Sequence, residues 1–268
     1  MTEGEYFYRK RLRNTVNYRP KKIITVLIII ILCSINLVHA AEEDKEEQKI
    51  YSSSTSLFLL QTSGNTSEFS FGFDTEQDLT FEKSQLNFKG SIIYAESEGV
   101  KKTEFYFSQL NYRYSFKSRF YGVGAGQFER NVLSGYNYRF SLSAGIGYFW
   151  VKSKKVEASS EAALGWNREG NIEKELDSDV SLIFASFYVS NTIKIPLSSN
   201  SELNHQNVFF FNLKTGGDFR INTISSVSFS ISKSFSVKMS HQLKYNHSPV
   251  PGFKNTDQYI LSSLVLKF

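Results

Sequence analysis

The 268-residue sequence predicts an all-β fold, a 12-stranded antiparallel transmembrane β-barrel, and three observations carry that expectation. From residue 51 onward apolar and polar side chains alternate with a period of two, and no segment of useful length repeats at the helical period. Aromatic residues make up 15% of the chain, with 24 Phe and 15 Tyr against 4 Pro, which is strand-forming composition. Tight links between the expected strands alternate with longer ones, as they do in barrels that cross a membrane.

Residues 1–40 read as a signal peptide. A basic stretch ending at Lys22 leads into an apolar run over 23–38, and Val38-His39-Ala40 before Ala41 suits cleavage between Ala40 and Ala41. The apolar run falls short of the roughly 20 residues that a spanning helix needs. The only cysteine, Cys33, lies in this leader, behind a Leu32 too bulky for a lipoprotein site. The mature chain therefore has no thiol, which excludes disulfides, thiol catalysis and thiolate metal sites and suits an oxidising compartment. The leader also carries the charge. Arg9, Lys10, Arg11, Arg13, Arg19, Lys21 and Lys22 against Glu3 and Glu5 give +5, and the whole chain is +5, so the remainder sums to zero. The basic balance thus gives no reason to expect nucleic acid as a partner. Residues 41–50 are a charged, solvated N-terminal segment.

Strands are expected at 51–61, 67–82, 84–96, 103–115, 119–130, 137–150, 154–167, 177–194, 201–213, 217–231, 234–246 and 257–268. Several have clean faces. Phe69, Phe71, Phe73, Leu79 and Phe81 oppose Ser70, Gly72, Asp74, Glu76, Asp78 and Thr80. Tyr138, Phe140, Leu142, Ala144, Ile146, Tyr148 and Trp150 oppose Arg139, Ser141, Ser143, Gly145 and Gly147. In the last pair, Phe235, Val237, Met239, His241, Leu243 and Tyr245 share a face, as do Ile260, Leu264, Leu266 and Phe268. The faces of the first, fifth, eighth and ninth strands do not separate. Even-numbered links are tight, at 82–83, 116–119, 152–154, 196–200 and 232–234, whereas odd-numbered ones are mostly longer, at 96–102, 131–137, 168–176 and 247–256, although 62–66 and 214–216 are short. An even strand count puts both termini at the short-turn, periplasmic rim. Gly122, Gly124 and Gly126 lie within a strand and read as a thin, strongly curved wall rather than a phosphate loop.

A soluble ligand-binding barrel also alternates, so the polar face decides. It carries Asp74, Glu76, Asp78, Lys89, Arg113, Arg139, Glu157, Glu161, Arg220, Lys238 and Lys244. Turned outward, these would leave a wide apolar cavity inside a twelve-stranded ring. Turned inward, they line a wet lumen while the apolar face meets lipid and every backbone group pairs around the closed sheet. Tyr94, Tyr114, Tyr121, Tyr138, Trp150, Trp166, Tyr245 and Tyr259, near strand ends, would form the interfacial girdles.

Thr62-Ser63-Gly64-Asn65-Thr66, then Ser134-Gly135-Tyr136-Asn137-Tyr138-Arg139 leading into 141–148, then Pro249-Val250-Pro251-Gly252 with Thr256-Asp257, and the terminal Phe268 carry a resemblance. Over residues 55–268 the sequence resembles the bacterial outer-membrane proteins gathered as domain of unknown function 481, DUF481, also called salt-induced outer-membrane proteins. It departs from them at Leu57-Phe58-Leu59-Leu60 and at 163–167, where the family is richer in glycine. The resemblance implies a barrel in the outer membrane of a Gram-negative bacterium and supplies no reaction.

The charged lumen is the candidate functional site, either cross-linked as a plug or lining a permeation path. Arg139 is the expected hub, with Glu157 and Glu161 as its partners. The expected role is an envelope scaffold, stress-related, or a small-solute channel. The alternative is an outer-membrane lipid hydrolase, which needs a Ser beside a His on the lipid-facing surface. Ser240 and His241 face opposite ways, whereas His205 with Asn207 and a cross-strand Ser stays open. No metal-binding or phosphate-binding motif is present, so no cofactor is expected and the chain is read as non-enzymatic. The expected partners are outer-membrane lipid and, through the C-terminal strand ending at Phe268, the barrel-assembly machinery; the oligomeric state is left open.

Overall fold

A computed structural model describes residues 50–63, 68–97, 100–173 and 178–267. The expected signal peptide, the Ala40–Ala41 cleavage site, the charged segment before Ile50, the Gly64-Asn65-Thr66 turn and Phe268 lie outside the described residues. Twelve strands run β1 (Ile50–Ser63), β2 (Glu68–Phe81), β3 (Ser84–Ser97), β4 (Val100–Ser115), β5 (Phe120–Asn131), β6 (Tyr136–Lys152), β7 (Glu157–Glu173), β8 (Ser178–Pro196), β9 (Ser201–Asn212), β10 (Phe219–Ser230), β11 (Phe235–Asn246) and β12 (Thr256–Lys267). A 3₁₀ turn, η1 (Val132–Ser134), joins β5 to β6.

Each strand pairs with its neighbours in the chain, and β12 closes the ring on β1 from Ser54↔Lys267 to Ser63↔Gln258. Closure gives every ladder N–H and C=O a partner and removes the sheet edge, the condition for strands to cross hydrocarbon. Register then fixes which side chains point inward. The row Asp74↔Ser91↔Phe107↔Glu129↔Arg139↔Glu169 runs along the inner wall from β2 to β7. Alternate residues point outward, and there Leu57, Leu110, Leu142, Ile146, Leu164, Met239 and Leu264 are exposed. An apolar belt around a closed barrel far exceeds the few hundred Å² that a soluble monomer leaves bare, so its solvent is lipid. The inner wall is not uniformly polar. Phe58, Leu60, Ile93 and Tyr259 pack together inside, flanked by Phe105 and Leu261.

The links at 82–83, 116–119, 153–156, 197–200 and 231–234 form one rim with the outer ends of β1 and β12. The opposite rim differs from the sequence expectation. Residues 96–97, 100–102 and 168–173 are strand: β3 and β4 continue to Ser97 and Val100, and β7 and β8 to Glu173 and Ser178. β8 is 19 residues long against 12 for β9, so this rim is uneven through strand length more than loop length. The wide connections that remain are 213–218 and 247–255.

Candidate functional site

Near this uneven rim the inner face gathers charge from strands on opposite sides of the ring. Arg139, next after the β-bulge at Tyr136/Tyr138 on β6, sits 3.3 Å from Glu129 on β5 and 2.8 Å from Glu169 on β7. Arg220 on β10 clasps the same Glu169 with two N–H donors, at 2.6 and 3.1 Å, and lies 3.4 Å from Asp218. Lys244 on β11 reaches Glu129 at 3.4 Å, from the strand standing across the ring from β5. Two carboxylates, on β5 and β7, therefore hold three cations from three other strands, β6, β10 and β11. Each cation also lies over a ring: Arg139 over Tyr136 at 3.9 Å, Arg220 over Phe210 at 5.1 Å, and Lys244 over Phe105 and Tyr259 at 5.4 Å. Aromatic faces and carboxylates together replace the water that an open lumen would supply.

Above this layer the links fold inward. Gly135, at φ +85°, closes η1 in the left-handed region that favours glycine, and an added Cβ there would meet the Phe253 ring at 2.7 Å. Asn131 accepts from the Ser134 backbone N–H and donates to Glu129 at 3.1 Å, tying the turn to the charged layer. The Ser134 hydroxyl donates to Asp257 on β12 at 3.0 Å, and Asn246 on β11 donates to the Tyr136 hydroxyl at 2.9 Å. Val250 is buried. The segments at 134–139 and 249–257, which carry the family resemblance, thus meet across the mouth.

The remaining candidates form separate groups. Lys89 pairs with Glu76 at 3.0 Å, and Asn87 donates to both Glu76 and Asp78, at 3.0 and 2.8 Å. Asp74 stands opposite Ser91 in register, and Lys238 opposite Ser228 and Ser263. Lower down, Arg113 on β4 spans to Glu161 on β7 at 2.7 Å, with the Tyr121 hydroxyl donating to the same carboxylate at 3.1 Å. Glu157 lies 3.9 Å from Lys194 at the short-turn rim. The expected partnership of Arg139 with Glu157 and Glu161 is therefore corrected. β7 runs from the short-turn rim upward, so its early residues sit at the far end of the lumen from Arg139, and Glu169 arrives at its level. Glu129 and Glu169 were missed because one lies in a strand whose faces do not separate and the other in a segment that reads as a loop.

The outer face of β9 and β10 carries a hydrogen-bonded polar group. His205 Nδ1 lies 2.8 Å from Ser225 Oγ, His205 Nε2 is 2.9 Å from Asn207 Nδ2, and the Thr223 hydroxyl donates to Asn207 Oδ1 at 2.7 Å. A serine does meet a histidine here, as a hydrolase would need. β9 and β10 are paired on both sides at these positions, however, so their backbone N–H groups are taken up by the ladder and supply no oxyanion hole. Among the described residues no grouping of His, Asp and Glu could hold a metal ion.

The family described as "Protein of unknown function, DUF481" matches residues 57–268. No curated protein matches the chain by sequence. Among solved structures, the NanC porin is similar with a TM-score of 0.55 at 6% identity, over 80% of this chain and 100% of that one. The KdgM porin in complex with disordered oligogalacturonate gives 0.47 at 9% identity, over 80% and 99%. The translocator domain of the autotransporter NalP from Neisseria meningitidis gives 0.49 at 8% identity, over 91% and 98%. At such identities the NanC likeness bears on the fold alone.

Proposed function

The chain belongs to the DUF481 family, and from that premise we propose that it is an outer-membrane barrel held shut at its loop rim, acting as an envelope scaffold. One observation carries the reading. The Glu169 and Glu129 side chains on the inner wall are 0% and 6% exposed, where an open pore would wet them. Arg220 and Lys244 reach them from β10 and β11 across the ring, so the contacts brace the barrel rather than line a passage. In this setting residues 1–40 direct export, cleavage falls between Ala40 and Ala41, the belt meets outer-membrane lipid, and the strand ending at Phe268 engages the assembly machinery.

A second reading, small-solute passage, is favoured by the other half of the lumen. There Lys89 and Glu76 are 44% and 38% exposed, so a charged vestibule opens beneath the closed layer. Conductance in planar bilayers separates the two. The scaffold reading predicts that folded wild-type protein gives no discrete current steps, while Arg139→Ala combined with Arg220→Ala does. Steps from the wild type would turn the conclusion to the channel. The closure also holds in 1 M salt, where the screening length is about 3 Å, because buried pairs are poorly screened.

A further inference from the structure

The hydrogen-bonded group on the outer wall sits where hydrocarbon is thickest. His205 and Asn207 lie near the middle of β9, Thr223 and Ser225 near the middle of β10, and His241, beside Ser225 in register, in the middle of β11. Asn191 on β8 stands beside Asn207. The apolar wall resumes on both sides: Leu203 pairs with Val227 below the group, and Phe209 with Ile221 above it. Across the barrel, the outward residues of β5 and β6 at similar heights are Gly124, Gly126, Leu142, Ala144 and Ile146, none of them polar. A polar, ionisable patch exposed to acyl chains is costly, and such groups in membranes normally meet protein or water.

We propose that this face of β8–β11 is the contact between two copies of the chain in the membrane. Any partner must present hydrogen-bonding groups at the same depth. A second copy in the same orientation, related by a two-fold axis along the membrane normal, does so automatically, because each patch residue faces its own height. The patch is also self-complementary in hydrogen bonding. Among the described residues His241 makes one side-chain hydrogen bond, from Nε2 to Gln258 Oε1 at 3.3 Å, which leaves Nδ1 to cross the interface. The Asn191 carbonyl accepts from Ser160, while its amide N–H₂ has no partner among the described residues. Ser225 and Thr223 are small enough to let the two walls approach closely, and interhelical contacts in membranes use the same small and polar side chains. Lipid ester groups lie near the membrane surfaces, away from mid-strand, so a phospholipid headgroup is not the occupant.

The inference rests on the membrane setting proposed above and is independent of whether the lumen conducts. It is tested in the full chain carrying Cys33→Ser, with a single cysteine placed either at Met239→Cys, beside the patch on the outer face of β11, or, on the opposite wall, at Leu142→Cys. Both are inserted into phospholipid vesicles and oxidised, and heat-modifiable migration on gels confirms a folded barrel. Met239→Cys is expected to give a disulfide-linked dimer and Leu142→Cys to stay monomeric. Sedimentation equilibrium in detergent is expected to show at least a tenfold weaker dimer for Asn191→Leu with His205→Leu. Equal cross-linking from both walls, a monomer in every case, or an unchanged dimer constant would overturn the proposal.

Discussion

Glu169 shows what a single buried carboxylate can hold together. With no exposed surface it accepts from Arg139 and Arg220, which come from β6 and β10. Removing it leaves two neighbouring guanidiniums with only their longer contacts, Arg139 to Glu129 at 3.3 Å and Arg220 to Asp218 at 3.4 Å. Glu169→Ala is therefore expected to cost about 3–5 kcal/mol, seen as a lower urea midpoint in vesicles, since breaking a buried pair strands the remaining charge. Arg139→Lys tests geometry rather than charge. A lysine cannot present the planar fork that meets Glu129 and Glu169 together, so most of the loss should persist. Arg139 itself could be picked out from sequence because it stands on the polar face of a cleanly alternating strand. Its partners could not, because the faces of the fifth strand do not separate and 168–176 reads as a loop, which hides the register that sets Glu129 and Glu169 beside it.

At the scale of elements, strands were legible and their ends less so. Alternation marks a strand only where one side meets lipid and the other does not. Toward the loop rim the sequence of 96–102 and 168–176 is mostly polar at successive positions, so both stretches look like loops although the ladder continues to Ser97↔Val100 and Glu173↔Ser178. The ninth strand failed to separate for a different reason. Its outward face carries His205 and Asn207 in place of apolar side chains, so the departure from pattern was itself the signal of the outer-wall patch. Within the belt the position along a strand should set the cost of a charge. Leu142→Arg is expected to lose about 2–4 kcal/mol, and Phe116→Arg in a short turn about 0–1, both read from urea titrations in vesicles. The clasp at the mouth is an element too. Gly135→Val should both strain the turn and displace Phe253, and the expected result is faster protease nicking within 247–255 with the barrel still heat-modifiable.

The molecule as a whole is set by direction: buried charges toward the axis, hydrocarbon side chains outward. Ring closure by β1 and β12 makes that orientation collective, because shifting one strand by a residue would flip its whole face. The chain carries only 2 tryptophans, and both report on it. Trp150 is 61% exposed and Trp166 43%, on the outer face of β6 and β7. Refolding into vesicles whose acyl chains carry bromine should quench most of their fluorescence relative to unbrominated lipid. Fluorescence unchanged by bromine, from protein that is folded, would put the tryptophans away from hydrocarbon and contradict the account.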